Sequence, residues 1–275
     1  MERACLRYFK EFYRFIKHIL SNNRLIRTLI INDFKKQYLG SFLGLAWAYL
    51  QPISFMLVIW YVFEAGLRSL SVKEGVPFFV WLISGMIPWL FIALSLNRGT
   101  NAVVDNAFLV KKVAFRVSLL PVVQLGSALL IHFGLLVFLL FVLLYYGFYP
   151  SLYWLQLIYY LFSTFILLLG LTWLTSSLRV FIKDISVVIA VMLQLGFWIT
   201  PIFWSIDRIS IEHQYLVKLN PACYITNGYR ESLLYEKWFW ESPMEMFAFW
   251  SMTLFLFVIG AVVFKRLRTH FGDVI

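Results

Sequence analysis

Five long runs without a charged side chain constrain this 275-residue chain more than any other feature of its sequence. An α-helix needs about 20 apolar residues to cross the roughly 30 Å hydrocarbon core of a membrane. The runs cover residues 37–63, 75–97, 117–178, 185–206 and 246–264. The third run is long enough for two helices, and Gly147 and Pro150 indicate a turn among tyrosines between them.

The sequence therefore predicts an all-α integral membrane protein with six transmembrane helices in one domain, residues 37–264. The six spans are expected at about residues 40–63, 76–97, 118–145, 152–178, 185–205 and 246–264.

The overall composition excludes several soluble classes. The chain is 61% hydrophobic and 14% charged, whereas soluble domains average about 45–50% apolar and about 25% charged residues. The net charge is +10, but the basic residues stand between apolar runs, which argues against a nucleic-acid-binding surface. Two cysteines, Cys5 and Cys223, are too few for a disulfide framework.

The distribution of basic residues predicts the orientation of the chain in the membrane. Six spans place both termini on one side. If that side is the cytoplasm, the cytoplasmic segments hold 18 basic and 6 acidic residues, and the outer segments hold 6 and 8. The positive-inside rule favours this arrangement. We therefore expect residues 1–36 and the tail 265–275 in the cytoplasm, and no cleaved signal peptide, because residues 1–36 have no uninterrupted apolar core.

Residues 1–36 have the pattern of a helix lying on the membrane surface. Basic residues recur at spacings of four and three between Arg3 and Lys17, and apolar and aromatic residues fill the opposite side. Ser21-Asn22-Asn23 is expected to end this helix and to begin a second short one from Arg24 to about Lys36. Three roles stay open: a membrane anchor, a gate for a lipid-linked anionic substrate, and a docking site for a soluble partner.

The sequence contains no motif for nucleotide binding, catalysis or metal binding. There is no GxxxxGK[ST], HExxH or GxSxG pattern and no cluster of Cys and His. The span interiors hold no Asp, Glu, Lys or Arg, although ion-coupled transporters usually carry such groups at membrane depth. Any transport would therefore take its energy from elsewhere. His132, within the third span, is interpreted as a helix-packing residue or a proton relay.

Aromatic residues make up 20% of the chain and concentrate in or near the span ends. Aromatic rings at helix ends ordinarily form belts at the membrane interface. A flat ring can also stack on the apolar face of a sugar, so the deeper ones would suit a channel for a long, varied glycan. The candidate channel residues are Trp47, Tyr49, Gln51, Trp173, Phe197, Trp198, Phe203 and Trp204.

Residues 207–245 form the longest segment expected outside the cell membrane. Within it residues 219–229 are uncharged but too few to span, which predicts a re-entrant or interfacial element. Pro221 can occupy the first turn of a short helix there. The segment that follows adds aromatic residues beside acidic ones, as expected at the outer mouth of a pathway.

Four segments, in order along the chain, resemble the type 2 ABC exporter permeases that carry polysaccharides. The first is LIINDFKKQYLGSFLGLAWAYLQP, residues 29–52, with the family's Tyr-x-Gly-Ser-x-Leu-Gly-x-x-Trp pattern. Asn32 stands where arginine is common in that family. The other three similar segments are residues 101–121, 181–203 and 219–234.

The resemblance implies a homodimer of permeases that works with two nucleotide-binding ATPase subunits. This chain itself would be no enzyme and would bind no cofactor or metal, since ATP and Mg would act through the partner subunit. The implied activity is export of a polymer on a polyprenyl-pyrophosphate lipid across the bacterial inner membrane. Lipopolysaccharide O-antigen is the first choice of polymer, and teichoic acid and capsule polymers are the alternatives.

The resemblance also assigns roles to two segments. A coupling loop at about residues 98–116 would touch the ATPase, with Asn101, Asp105, Leu109, Lys111, Lys112 and Phe115. Helices of the outer loop would gate the exit, with Asn220, Pro221, Tyr224, Tyr229 and Arg230.

Four basic residues are expected at the inner membrane face, where a lipid pyrophosphate would lie. Lys and Arg bind phosphate through charge-assisted hydrogen bonds, although the positive-inside rule alone also explains basic residues there. These residues are Lys35, Lys36, Arg98 and Arg116. In addition, Gly40, Gly44 and Ala48 have the spacing of a small-residue ridge for a dimer contact or for packing within the chain.

Two other functions stay open at this stage. A type 2 ABC exporter of a drug or small lipid would share the same family pattern. A membrane enzyme acting on polyprenyl phosphates would need convergent acids or metal ligands, but Asp33, Asp105 and Asp184 lie in different loops.

Overall fold

The computed structural model describes residues 22–38, 40–66, 75–111 and 116–274. Within these ranges the chain forms helices joined by turns and short loops, without a β-strand, so the all-α prediction is confirmed. The predicted surface helix before Asn22 lies outside the described residues, and so does Cys5. The same holds for Lys112 and Phe115 of the expected coupling loop.

Nine helices of eight or more residues organise the described part of the chain. They are α1 (Asn23–Tyr38), α2 (Trp47–Tyr61), α3 (Phe78–Asn101), α4 (Leu119–Tyr145), α5 (Gln156–Phe181), α6 (Ile185–Ile199), α7 (Ile211–Lys218), α8 (Pro221–Leu234) and α9 (Pro243–Leu267). Short helical turns extend some of them, such as Gly44–Ala46 before α2 and Leu152–Leu155 before α5.

Five helices, with their extensions, are long and apolar enough to cross a membrane. They are Gly44–Glu64, Phe78–Asn101, Leu119–Tyr145, Leu152–Phe181 and Pro243–Val274. The first four start and end within about four residues of the predicted spans, and the last is longer at both ends because polar residues continue its helix.

The predicted span at 185–205 differs from the structure, because α6 ends at Ile199. Its 15 residues extend about 22 Å at 1.5 Å per residue, less than the hydrocarbon thickness. The proline at position 201 explains the end, because the residue before a proline avoids helical backbone. Thr200 is accordingly extended, with φ −70° and ψ 135°. The count of six spans stays a prediction.

Helix α3 forms the centre of the bundle. It packs against α2, α4, α5, α6 and α8, and most of its side chains are buried, as expected for a helix that is apolar on all sides. Helix α9 packs closely along α5, where Gly170 and Gly260 face each other. A Cβ atom on Gly260 would overlap the carbonyl oxygen of Gly170, so these glycines set the separation of the two helices.

Helices α2 and α6 pack much less against the rest of the chain. Helix α2 buries only Ala48 and Met56 among its side chains, and α6 buries only Ile189. Both helices are apolar, so much of their apolar surface is uncovered in the single chain. Val58 of α2 is 58% exposed and Met192 of α6 is 63% exposed.

The structure contradicts the predicted small-residue ridge. Gly40 and Gly44 lie in the turn that leads into α2, with φ +93° and +51°, and only Ala48 belongs to the helix. Positive φ is strained for residues with a Cβ atom and easy for glycine. A Cβ atom at either glycine would meet nothing within 4 Å. The two glycines therefore shape the turn and do not form a helix contact.

Candidate functional site

Helix α8 lies within the bundle, with ten of its fourteen side chains buried between α3, α5 and α9. Asn220 caps its first turn, because its Oδ1 accepts a hydrogen bond from the Ala222 N–H at 3.0 Å. The Nδ2 of the same residue donates to Thr200 Oγ1 at 2.9 Å. Pro221 occupies the first helical turn as expected. The start of α8 is thus fixed to the chain just beyond α6.

Arg230 of α8 joins three parts of the molecule. Its Nε donates to the Trp81 carbonyl at 3.2 Å, and its Nη1 and Nη2 donate to the Pro201 and Ile202 carbonyls at 2.6 and 2.5 Å. The guanidinium carbon lies 3.5 Å from the centre of a Trp81 ring. Gly85 leaves room for the guanidinium, because a Cβ there would overlap it. Arg230 therefore fastens α8 to α3 and to the bend that follows α6.

An aromatic cluster fills the space between α2 and α6 near the C-terminal ends of both helices. Its members are Phe55, Phe63, Trp89, Phe197, Trp198 and Phe203. Phe55 of α2 lies 5.8 Å from Phe197 of α6, and Phe203 lies 4.9 Å from Phe63, between ring centres. Trp204 adjoins this cluster, because its Nε1 donates to the Trp198 carbonyl at 3.1 Å. The cluster closes the gap between the two helices at this end.

Three cavities lie near the N-terminal end of α2, and Arg98 lines all of them. The apolar slot, about 230 Å³, lies between α2, α3 and α4; it includes Trp47, Gln51, Phe55, Leu94, His132 and Leu135. The open groove, about 580 Å³, lies between α3 and α6; it includes Leu90, Asn97, Ala190, Leu193 and Gln194. The polar pocket, about 320 Å³, lies where α1 meets the end of α3; it includes Asp33, Lys36, Asn97, Asn101, Asp105 and Gln124.

Hydrogen bonds to Asp33 fix one wall of the polar pocket. Its two carboxylate oxygens accept hydrogen bonds from Gln37 and Gln124, each at 2.8 Å. The Ser127 hydroxyl donates to the Ile30 carbonyl at 3.1 Å, a second connection between α1 and α4. Helix α1 is thereby held against α4, and this arrangement places Lys36 at the polar pocket.

Arg98 is only partly satisfied by the protein. Its Nη2 donates to the Tyr38 hydroxyl at 3.4 Å. Its Nη1 is buried and has no hydrogen-bond partner among the described residues. Buried polar atoms of native proteins are nearly always hydrogen-bonded, so an unpaired guanidinium nitrogen indicates a place for a ligand or water.

The expected coupling loop begins with a compact turn. Asn101 ends α3, and its carbonyl accepts a hydrogen bond from the Asp105 N–H at 2.9 Å. Leu109 belongs to a single helical turn, Ala107–Val110, and Lys111 ends it exposed. Desolvation by the surrounding protein raises the pKa of the Asp105 carboxyl, while nearby Arg179 and Lys36 lower it. Both basic and acidic groups thus act on this carboxyl, since Asp33 raises its pKa as well.

The structure brings together only some of the predicted inner and channel residues. Lys36 and Arg98 meet at the polar pocket, whereas Lys35 and Arg116 line none of the three cavities. Trp47 and Gln51 line the apolar slot, and Phe197, Trp198, Phe203 and Trp204 belong to the aromatic cluster or adjoin it.

Two predicted channel residues lie elsewhere. Tyr49 packs on Gly134 of α4. The Trp173 Nε1 donates to the Ser118 carbonyl at 3.2 Å, and its ring faces Phe257 of α9. Trp173 is buried because α5 is covered by α9, on a side away from the cavities.

Two tyrosines of the expected outer gate are held by hydrogen bonds. The Tyr224 hydroxyl lies 3.0 Å from the Tyr159 hydroxyl, and the Tyr229 hydroxyl lies 3.0 Å from His132 Nε2. The His132 ring also packs 4.8 Å from the Phe91 ring. This geometry supports the interpretation of His132 as a helix-packing residue.

Four uncharged polar residues at the cavities are absent from the sequence-based candidates, although Gln51 and Asn101, which also line the cavities, are among them. Tyr38, Asn97, Gln124 and Gln194 all line them. Their common signal is an amide or phenol within or beside an otherwise apolar span.

Comparison with known proteins identifies one matching family and several similar proteins. Residues 24–234 match the family model described as ABC-2 type transporter. A protein of Klebsiella pneumoniae, named O-antigen export system permease protein RfbA, is 25% identical over 256 residues, which cover 91% of this chain and 95% of the relative. A protein of the same name from Myxococcus xanthus is 26% identical over 268 residues, 94% of this chain and 98% of the relative. The matched region contains the three cavities and all of α8.

Proposed function

We propose, since the chain belongs to the ABC-2 type transporter family, that it is the membrane subunit of an ATP-driven exporter of a polysaccharide linked to polyprenyl pyrophosphate. O-antigen is the favoured polymer, because similar proteins over nearly the whole length carry the name O-antigen export system permease. The chain would work in the bacterial inner membrane, with both termini in the cytoplasm.

The meeting of three cavities at Arg98 is the observation that carries this proposal. The polar pocket offers Lys36, Arg98 and the amides of Asn97 and Asn101, groups that bind phosphate oxygens through charge-assisted and neutral hydrogen bonds. Two carboxylates also line it: Asp33 is hydrogen-bonded to Gln37 and Gln124, and burial raises the pKa of Asp105. The open groove next to it would receive the first sugars. A lipid pyrophosphate and its glycan thus find adjoining places of matching chemistry.

ATP hydrolysis would come from two separate ATPase subunits. The turn after α3 is the proposed contact, because Phe108 is 58% exposed there and Lys111 is exposed as well. This turn continues directly from α3, which lines all three cavities. A push on the turn would therefore reach the substrate site through one rigid helix.

A second copy of the chain would complete the pathway. Among the described residues no element covers one side of the groove between α3 and α6, and the apolar surfaces of α2 and α6 flank it. A polymer crossing a membrane needs a pathway shielded from lipid on every side, and a twofold dimer supplies the missing wall from the same surface. The aromatic cluster would then lie along the exit route.

The test is to deplete the protein in its own cell and to analyse the lipid-linked glycans on each side of the inner membrane. Full-length polymer on a polyprenyl-pyrophosphate carrier is expected to accumulate on the cytoplasmic side and to vanish from the surface. Its chemical analysis separates O-antigen from teichoic acid and capsule. Unchanged surface glycans without carrier-linked polymer would contradict the proposal and favour a drug or small-lipid substrate.

A matched pair of variants connects the activity to the cavities. Arg98→Gln together with Lys36→Gln is expected to reduce export at least roughly tenfold, because each charge-assisted hydrogen bond contributes about 1.5–3 kcal/mol. Arg27→Gln is the control, since Arg27 is an exposed basic residue of α1 that lines none of the three cavities. Equal export by both variants would show that the polar pocket does not bind the pyrophosphate.

A further inference from the structure

The apolar slot runs along three helices for the same distance. Helix α2 lines it from Trp47 to Phe55, and α3 lines it from Leu90 to Arg98. At 1.5 Å per residue each of these stretches is about 12 Å long, a little less than half of the roughly 30 Å hydrocarbon core. In the orientation given under the proposed function, on which this inference rests, Arg98 is at the cytoplasmic end of its span and the slot stays within the inner half of the membrane.

The two ends of the slot differ in chemistry. Ten of its fourteen lining residues are apolar, and the aromatic cluster closes one end through Phe55. At the other end lie Arg98 and Tyr38, whose hydroxyl accepts a hydrogen bond from Arg98 Nη2. The second guanidinium nitrogen is buried without a partner among the described residues. The slot therefore combines a mostly apolar lining, interrupted by Gln51 and His132, with an unpaired guanidinium nitrogen at its mouth.

We propose that the slot binds one phospholipid of the inner leaflet, with an acyl chain between α2, α3 and α4 and its phosphate on Arg98. A guanidinium binds phosphate well, because its planar donors match the phosphate oxygens. An acyl chain fits a lining of aliphatic and aromatic side chains that water cannot satisfy.

The length of the slot and mass action both favour a phospholipid over the exported lipid carrier. A slot limited to one leaflet matches an acyl chain. The slot is also partly open at its side, where Trp47 of α2 is 46% exposed. Phospholipid surrounds such an opening at the concentration of the bilayer itself, so occupancy follows from abundance even at modest affinity. The phospholipid and the proposed pyrophosphate share Arg98, but retention of the phospholipid can be measured without polymer, carrier or ATPase.

The experiment is native mass spectrometry of the full chain, purified without ATPase or carrier from bilayers of phosphatidylethanolamine and phosphatidylglycerol. The wild type is expected to retain one phospholipid per chain after detergent exchange. Arg98→Gln removes the phosphate contact and Ala48→Leu fills the slot from α2, so each is expected to reduce retention roughly tenfold, equivalent to about 1.4 kcal/mol.

Arg266→Gln is the control, because Arg266 is an exposed basic residue near the C-terminal end of α9 and lines none of the three cavities. It should retain lipid as the wild type does. Thermal unfolding of each variant establishes that it is folded, and two variants on different helices, Ala48→Leu on α2 and Arg98→Gln on α3, guard against one that is not. The proposal would be overturned if all four proteins retained phospholipid equally or if none of them retained it. It would also be overturned if added polyprenyl phosphate selectively replaced the bound phospholipid.

Discussion

At the scale of single residues, Arg230 connects α8 with α3 and with the bend after α6. One side chain supplies hydrogen bonds to three backbone carbonyls and covers the Trp81 ring, and it is only 3% exposed. The bend after α6 is also held by hydrogen bonds from Asn220 to Thr200 and from Trp204 to Trp198. Two of the three carbonyls belong to Pro201 and Ile202, within that bend, so Arg230 fixes where the chain turns toward α7 and α8.

Arg230→Met is expected to lower the free energy of unfolding by about 3 kcal/mol or more, because it leaves three buried carbonyls without their donor, at about 1–3 kcal/mol each. The free energy of unfolding of Arg230→Lys is expected to lie between those of Arg230→Met and the wild type. An ammonium group keeps the charge but lacks the planar donors that reach all three acceptors. Thermal unfolding of the detergent-purified protein measures both. A methionine variant that unfolds at the wild-type temperature would contradict this role.

At the scale of helices, the contact between α5 and α9 depends on glycine. The Gly170 and Gly260 backbones meet directly, and a Cβ on Gly170 would collide with the Phe257 backbone. Small residues at helix crossings in membranes allow the backbones to approach and to gain van der Waals contact. Both helices are predictable from the sequence but this contact is not, because periodicity within one helix does not reveal which face another helix covers.

Gly260→Ala is expected to destabilise the protein by about 1–3 kcal/mol, since the added methyl group forces two backbones apart in a packed interior. Gly272→Ala is the matched control, because a Cβ there meets nothing within 4 Å and its φ is ordinary. The control should unfold at the wild-type temperature or slightly above. Comparable destabilisation by both substitutions, measured by thermal unfolding, would argue against a close helix contact.

At the scale of the whole molecule, the bundle is well packed on one side and open on the other. Helices α3, α4, α5 and α8 hold most of the buried side chains. Helices α2 and α6 leave apolar faces uncovered on either side of the open groove. A dimer formed through this side would enclose the groove, whereas a dimer formed through α5 and α9 would leave it open to lipid.

Cross-linking distinguishes these two arrangements. In a chain with Cys5→Ser and Cys223→Ala, a Val58→Cys substitution on α2 is expected to give cross-linked dimers with a short bifunctional maleimide. Phe162→Cys is the control, because Phe162 is equally exposed at 58% but lies beside Trp250 on the α9 side. Cross-linking at position 162 and not at 58 would place the dimer contact on the other side of the molecule.

The coarse fold follows from the sequence, because the cost of leaving charged groups in hydrocarbon separates the spans from the loops. The runs without charge therefore predicted five of the helices to within a few residues. The same reasoning overestimated α6, since a charge-free run includes Pro201 although the helix ends before it. It also misread Gly40 and Gly44, whose spacing fits a helix but whose backbone forms a turn.

The sequence by itself determined which segments leave water and that the chain has the pattern of a membrane permease, because both depend on composition and on order along the chain. Only the tertiary structure decided that Arg98 lines three cavities, that Trp173 is covered by α9, and that Arg230 is buried among carbonyls. These outcomes depend on which helix faces meet. Apolar faces are chemically alike, so packing in three dimensions, and not local pattern, selects among them.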